Sequence, residues 1–242
     1  MINLDSFSSY FVANWKLNGN FKFIDQFIEN LNLPEDKSKC TVICPTSIHL
    51  EYISRKKNKF YLGAQNVSQY KDGAYTGEIS CDSLSELKID FCIIGHSERR
   101  QIYYESNIDV NSKSLKLINN EIVPIICIGE TLKQKQNDKT KDVLAKQLEE
   151  GIGDTSNSNN TIIAYEPVWA IGTGLTPSLE EIYKTHEFIK THNTKFNNYK
   201  IIYGGSVKVD NAKEIVSLSN VDGALIGGAS LKSDEFTKII QD

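Results

Sequence analysis

Three residues in this 242-residue sequence combine side chains that could move a proton at carbon. Glu166, His96 and Lys16 each lie at or just past the end of a short apolar, β-branched run. A carboxylate can remove a proton from carbon, and an imidazole and an ammonium can stabilise the charge that develops on a neighbouring oxygen. The combination predicts proton transfer next to a carbonyl group.

Two glycine-rich turns add a second kind of chemistry. Gly205-Ser206 and Gly227-Gly228 follow two further apolar runs near the C-terminal end of the sequence. Glycine has no Cβ, so backbone N–H groups at such turns can approach a phosphate closely. These turns therefore predict a phosphate site, although a glycine pair alone is weak support.

Each of these residues also has a structural interpretation. Lys16 could simply face solvent, His96 could be a hydrogen-bonded core histidine, and Glu166 could belong to a structural salt bridge. Glu166 is the hardest to explain in this way, because an unpaired carboxylate at a buried strand end is costly. The functional interpretation depends on all of them meeting at one site.

The elements that would position them are eight short apolar runs. They are nearly continuous in hydrophobicity, which is typical of strands buried on both faces of a parallel sheet. The eight predicted strands are Tyr10 to Trp15, Thr41 to Cys44, Phe60 to Ala64, Phe91 to Gly95, Val123 to Ile128, Thr161 to Tyr165, Ile201 to Tyr203 and Gly223 to Ile226.

Amphipathic stretches between these runs predict helices. One has apolar residues at the i, i+3, i+4 and i+7 spacing of a single helix face, namely Ile24, Phe27, Ile28 and Leu31. Another is predicted to begin at Thr176-Pro177-Ser178, with Pro177 in the first turn and Ser178 and Glu181 at capping-box spacing. Eight such units predict an α/β fold, a (β/α)8 TIM barrel spanning residues 1–242 as a single catalytic domain, with the site at the carboxyl ends of the strands.

Charge, hydrophobicity and cysteine content exclude several classes of protein. The formal net charge is −4 and there is no block of consecutive basic residues, which argues against nucleic-acid binding. Met1 to Tyr10 lacks the features of a signal peptide, and no apolar run is long enough to cross a membrane, so we expect a cytoplasmic protein. Five cysteines without CxxC pairs or clustered histidines predict buried free thiols and no metal site.

Longer motifs resemble one enzyme family. Asn14-Trp15-Lys16, the stretch Ile94 to Arg100, the stretch Ala164 to Gly174, Tyr203 to Val207 and Gly227 to Leu231 match the pattern of the triosephosphate isomerases in order and across nearly the whole chain. The resemblance implies interconversion of dihydroxyacetone phosphate and D-glyceraldehyde 3-phosphate through an enediolate, in glycolysis and gluconeogenesis, without a cofactor.

The resemblance also implies roles for individual residues. Glu166 would carry the proton between two carbons, neutral His96 would act at the two oxygens, and Lys16 would neutralise charge. The implied substrate-binding residues are Asn14, Lys16, Gly172, Ser206, Gly227 and Gly228.

The segment Pro167 to Leu175 resembles the lid that closes over substrate in this family, with Tyr203 and Ser206 receiving it. The family usually has a lysine and then small residues where this chain has Leu175-Thr176-Pro177. Proline restricts the backbone, so we expect a stiffer trailing hinge here.

The loop Asn66 to Ser80 resembles the interdigitating loop through which the family forms homodimers. By resemblance, Thr76 should reach the active site of a second copy, and Glu78 should pair with Arg99 of the partner subunit. The alternative is an ordinary surface loop with exposed tyrosines.

Two rival functions use the same barrel. An aldolase-type lyase would form a Schiff base through Lys16, but that leaves Glu166, His96 and the lid unexplained. A catalytically inactive barrel would not need every residue of the reaction to be present.

Overall fold

The computed structural model describes residues 2–57, 59–173 and 175–241, and its centre is a closed barrel of eight parallel strands. Each strand pairs with the next along the chain, and β8 pairs with β1. The strands are β1 (Ser9–Asn14), β2 (Lys39–Cys44), β3 (Tyr61–Ala64), β4 (Phe91–Ile94), β5 (Val123–Ile128), β6 (Ile162–Tyr165), β7 (Lys200–Tyr203) and β8 (Gly223–Ile226). All eight predicted strands are confirmed, with ends that differ by at most two residues.

Alternate residues along the strands pack into two separate clusters. In β1, Tyr10 and Val12 belong to a cluster inside the barrel, whereas Phe11 and Ala13 belong to the larger cluster between the strands and the helices. Side chains on both faces of the sheet are therefore buried. This explains why each strand is a continuous apolar run in the sequence and does not alternate apolar and polar residues.

Helices follow the strands and cover the outside of the barrel. They are α1 (Phe21–Asn30), α2 (Leu50–Ser54), α3 (Cys81–Glu86), α4 (Ser97–Ile102), α5 (Asn107–Asn119), α6 (Leu132–Gln136), α7 (Thr140–Gly151), α8 (Leu179–Thr191), α9 (Val209–Val216) and α10 (Ser233–Gln241). In α1, Ile24 and Phe27 are buried, and Ile28 and the C-cap residue Leu31 pack partly against the same core, as their spacing predicts.

The start of α8 differs slightly from the sequence prediction. Ser178 is the N-cap, and its side chain and that of Glu181 form the predicted capping box. Pro177 lies before the cap rather than in the first turn, and it is buried. A proline there fixes the approach of the chain without removing a helical hydrogen bond.

The five cysteines are buried and free, as predicted. None of the helices that the structure describes is long and apolar enough to cross a membrane.

Candidate active site

The carboxyl ends of β1, β4, β6, β7 and β8 meet around one cavity of about 490 Å³. Asn14 ends β1, Glu166 directly follows β6, and His96 lies two residues after β4. Parallel strands place these ends at the same rim of the barrel. All eight residues predicted to act on or bind substrate line this cavity: Asn14, Lys16, His96, Glu166, Gly172, Ser206, Gly227 and Gly228.

Glu166 and His96 form a buried pair at the floor of the cavity. The His96 Nε2 and Glu166 Oε1 atoms are 2.9 Å apart, and the other carboxylate oxygen accepts the Ser97 N–H at 2.9 Å. The Glu166 side chain is only 2% exposed. Its neighbours are glycines because space is short: a Cβ on Gly204 would lie 2.8 Å from Glu166 Cγ, and one on Gly129 would overlap the Glu166 carbonyl oxygen.

His96 is also the N-cap of α4, and this fixes which ring nitrogen carries a proton. The Glu98 N–H donates to His96 Nδ1 at 3.2 Å, which requires a lone pair on that nitrogen. The hydrogen bonding therefore puts the proton on Nε2, the nitrogen that faces Glu166. A ring held in this way presents an N–H donor at the floor of the cavity.

Burial and charge act in opposite directions on this pair. Burial lowers the pKa of His96, but the Glu166 and Glu98 carboxylates together outweigh burial, so the pKa lies above its ordinary value. Burial raises the pKa of Glu166, but His96 and the Ser97 N–H outweigh this and the pKa is lowered. Both net shifts depend on the contact between the two side chains. If Glu166 moves away, burial and the nearby Lys16 ammonium favour a neutral His96, whereas Glu98 still favours the charged form.

Lys16 adopts a left-handed backbone conformation, with φ of +50°. Such a conformation costs a non-glycine residue about 1–3 kcal/mol and persists only where neighbours hold it in place. Here Asn14 Oδ1 accepts the Lys16 N–H at 3.1 Å, and Gln65 Nε2 donates to the Lys16 carbonyl at 2.9 Å. The ammonium lies 2.9 Å from Glu98 Oε1. The strained backbone thus directs the ammonium toward the cavity that it lines.

The opposite wall of the cavity is rich in glycine. Gly204-Gly205-Ser206 follows β7 and Gly227-Gly228 follows β8. A Cβ on Gly228 would meet no atom within 4 Å, so the backbone there borders open space. This wall can accommodate a phosphate close to the main chain, next to the Lys16 side chain that lies against Gly227.

Glu130 is a functional candidate that the sequence analysis missed. It follows β5, is 1% exposed, and its carboxylate accepts the Trp169 indole N–H at 2.8 Å and the Tyr165 hydroxyl at 3.2 Å. Burial raises its pKa despite these hydrogen bonds. The criterion that found the other residues, a polar side chain just after a predicted strand, also applies to Ile128-Gly129-Glu130 and could have identified it.

The segment that resembles a lid borders the cavity through Ile171, Gly172 and Thr173. Gly174 lies outside the described residues. Gly172 has φ of +70°, and a Cβ there would meet no atom within 4 Å, so this part of the segment stands clear of the barrel. Next to Gly205, the buried Tyr203 hydroxyl has no hydrogen-bond partner among the described residues.

The described charged side chains at this rim do not form a metal centre. In the part of the chain that the structure describes, no three His, Cys, Asp or Glu side chains converge as metal ligands would.

Comparison with known proteins identifies the family. The sequence model of the triosephosphate isomerase family matches residues 9–242. A triosephosphate isomerase from Francisella tularensis subsp. mediasiatica is 47% identical over 239 residues, which cover 95% of this chain and 94% of that protein. One from Francisella philomiragia subsp. philomiragia is 42% identical, with 95% and 94% covered, and one from Mesomycoplasma hyorhinis is 40% identical, with 95% and 96% covered. The chain belongs to the triosephosphate isomerase family.

Proposed function

We propose that this protein interconverts dihydroxyacetone phosphate and D-glyceraldehyde 3-phosphate, with Glu166 as the base. The observation that carries the proposal is the convergence of Glu166, His96 and Lys16 on one cavity whose opposite wall is glycine-rich. The three side chains match the needs of an enediolate intermediate, and the glycines match a phosphate. Family membership supports the same substrate class.

In this proposal Glu166 begins each cycle by leaving His96. The carboxylate is tied to His96 and to the Ser97 N–H, so it cannot reach a substrate carbon without breaking those contacts. Once freed, it removes the proton from one carbon and returns it to the neighbouring carbon. Loss of the paired histidine and of the Ser97 N–H also raises the basicity of Glu166, because those contacts hold its pKa down.

His96 and Lys16 then act on the substrate oxygens. The His96 Nε2–H no longer faces a carboxylate and can donate to the oxygen that becomes negative in the enediolate. The Lys16 ammonium lies between the oxyanion side of the cavity and Gly227 on the phosphate side, so one charge serves both ends of the substrate. Asn14 holds the Lys16 backbone, and Gly172, Ser206, Gly227 and Gly228 complete the anion site.

A coupled assay tests this proposal directly. Purified protein should convert D-glyceraldehyde 3-phosphate to dihydroxyacetone phosphate without added metal or nucleotide. Failure to convert either triose phosphate at saturating concentration would contradict it. Borohydride with substrate separates the lyase alternative, since a covalent adduct at Lys16 would require a Schiff base.

We also propose that the protein acts as a homodimer through the loop Asn66 to Ser80. Tyr70 and Tyr75 stack with ring centroids 4.1 Å apart, and both remain exposed at the tip of the loop. A second cavity of about 370 Å³ adjoins the active site and could receive such a loop from another copy. In this chain Arg99 pairs with Glu105, and its pairing with Glu78 of the partner subunit is the finer part of the proposal.

Sedimentation at micromolar concentration tests the dimer. The wild type should sediment as a dimer, and Glu78→Lys should weaken association and activity together, because it places a cation opposite Arg99. A fully active monomer would defeat this part of the proposal. The cytoplasmic location and the single barrel domain over residues 1–242 stay predictions.

A further inference from the structure

We propose that Lys135 is a positioning residue that holds the lid in its open position. The inference rests on the proposed function, since it concerns the lid of that active site. Lys135 is on α6, it does not line the active-site cavity, and the sequence analysis assigned it no role.

Lys135 contacts Trp169 and Glu181 at the same time. Its Nζ atom lies 3.6 Å from the centroid of the Trp169 ring and 2.9 Å from Glu181 Oε1. An ammonium this close to an indole face is attracted by the electron density of the ring. The second contact fixes the ammonium, so the lysine is not free to follow the indole when the indole moves.

Trp169 lies at the leading end of the lid and is held by two residues that do not line the active-site cavity. Besides Lys135, the indole N–H donates to Glu130 at 2.8 Å, and Glu130 follows β5. The lid residues that border the cavity are further along, at Ile171–Thr173. Movement of the lid toward the cavity therefore carries the Trp169 ring away from Lys135.

Glu181 belongs to the fixed structure at the other end of the lid. Its second carboxylate oxygen accepts the Ser178 N–H at 2.8 Å as part of the α8 capping box. The hydrogen bond from Lys135, together with that from the Ser178 N–H, lowers the pKa of Glu181 to about 2. Pro177 is buried just before this cap. Lys135 thus joins the leading end of the lid to the anchored start of α8.

The consequence is a bias in the lid equilibrium. Some ligands are retained only when the lid is closed. The apparent affinity for such a ligand is the intrinsic affinity multiplied by the fraction of molecules with a closed lid, so it falls as the open fraction grows. An attraction of the ammonium to the ring that exists only in the open state raises that fraction. At the strength usual for partly exposed ammonium–aromatic pairs, its loss should tighten such a ligand about two- to fivefold.

The main test is Lys135→Met, which keeps an unbranched apolar chain and removes the charge. The probe is 2-phosphoglycolate, which carries a phosphate and a planar carboxylate in place of the enediolate. Its dissociation constant and the KM for D-glyceraldehyde 3-phosphate should both fall about two- to fivefold. Lys135→Arg should restore the wild-type values, because arginine keeps both the ring contact and the ion pair. Damage to the fold would weaken binding instead.

Two further variants control the test. Lys56→Met removes an ammonium that also lies over an aromatic ring, 4.4 Å from the centroid of Tyr52. Lys56 pairs with Asp25 and does not line the active-site cavity. This variant should leave the affinity for 2-phosphoglycolate unchanged. Glu181→Gln removes the charge that fixes Lys135 yet keeps a side chain suited to the capping box, and it should shift the affinity in the same direction as Lys135→Met.

A measurement without ligand separates this inference from the proposed function. The chain has two tryptophans, and the other, Trp15, donates its indole N–H to the Ser230 carbonyl inside the core. In Lys135→Met, exchange of the Trp169 indole proton with solvent should accelerate about two- to fivefold, while that of Trp15 stays unchanged. Equal exchange and equal affinity in Lys135→Met and Lys56→Met would overturn the role of Lys135. Absence of isomerase activity in the wild type would instead overturn the proposed function.

Discussion

The two ends of the barrel use the same kinds of charged residue in different ways. At the amino end, Asp90 accepts the Leu62 N–H at 2.9 Å and pairs with Lys57. Asp222, four strands further along, has the same arrangement: it accepts the Ile201 N–H at 2.8 Å and pairs with Lys190 of α8. At the carboxyl end, Glu166 instead contacts a histidine side chain beside an open cavity.

The difference lies in whether the partner can be exchanged. The aspartates bind the N–H group at the start of a neighbouring strand, and releasing it would leave a strand donor unpaired. Glu166 is bound to a side chain and to the first N–H of a helix, and a substrate can replace either contact. The amino end is therefore organised for stability, and the carboxyl end has polar groups whose contacts can change during a reaction.

Glu166→Gln gives the largest expected effect at the carboxyl end. The change keeps the size of the side chain and removes the proposed base, so turnover should fall on the order of 10³- to 10⁴-fold while 2-phosphoglycolate still binds. Steady-state kinetics and calorimetric titration measure the two quantities. A variant that retained a tenth of wild-type activity would refute the assignment of the base.

The barrel and its main catalytic candidates could be predicted from the sequence because they depend on strong, local signals. Each strand is a continuous apolar run, so the eight strands were found to within two residues. The rule that barrels place their sites at the carboxyl ends of strands then selected Glu166, His96 and Lys16 by position. The longer motifs narrowed the family, and the structure places all the selected residues around one cavity.

Other features depend on contacts between distant parts of the chain and could not be predicted. The left-handed backbone of Lys16 depends on Gln65, 49 residues away. The position of Lys135 over Trp169 depends on where α6 packs, and nothing in the local sequence indicates it. In the sequence, the aspartates at the amino end cannot be distinguished from ordinary loop residues, because each one binds an N–H group of a neighbouring strand.

Lys16→Ala should have the next largest effect. Alanine loses the ammonium that we propose acts on both the oxyanion and the phosphate, so turnover should fall about 10²- to 10³-fold and the dissociation constant of 2-phosphoglycolate should rise. The left-handed backbone is as strained for alanine as for lysine, so it does not account for the change.

Lys208→Ala is the matched control for Lys16→Ala. Lys208 also lines the cavity, but its side chain is exposed at the outer rim. We expect it to change binding weakly, because an exposed charge is screened by water and salt. If Lys16→Ala lowered turnover without weakening the binding of 2-phosphoglycolate, Lys16 would not contact the phosphate.

Replacement of Asp222 should give the smallest effect on catalysis, and it tests the amino end. Asp222→Ala leaves the Ile201 N–H without its acceptor and Lys190 without its partner, so the free energy of unfolding should fall by about 1–3 kcal/mol. Asp222→Asn keeps an acceptor for the N–H and loses only a partly exposed ion pair, so its cost should be about 1 kcal/mol or less. Urea unfolding measures the change in stability of both variants.

Turnover per folded molecule should match the wild type in each Asp222 variant, because Asp222 does not line the active-site cavity. A marked loss of turnover in Asp222→Asn at full stability would mean that the amino end also shapes the active site, and the division between the two ends would fail.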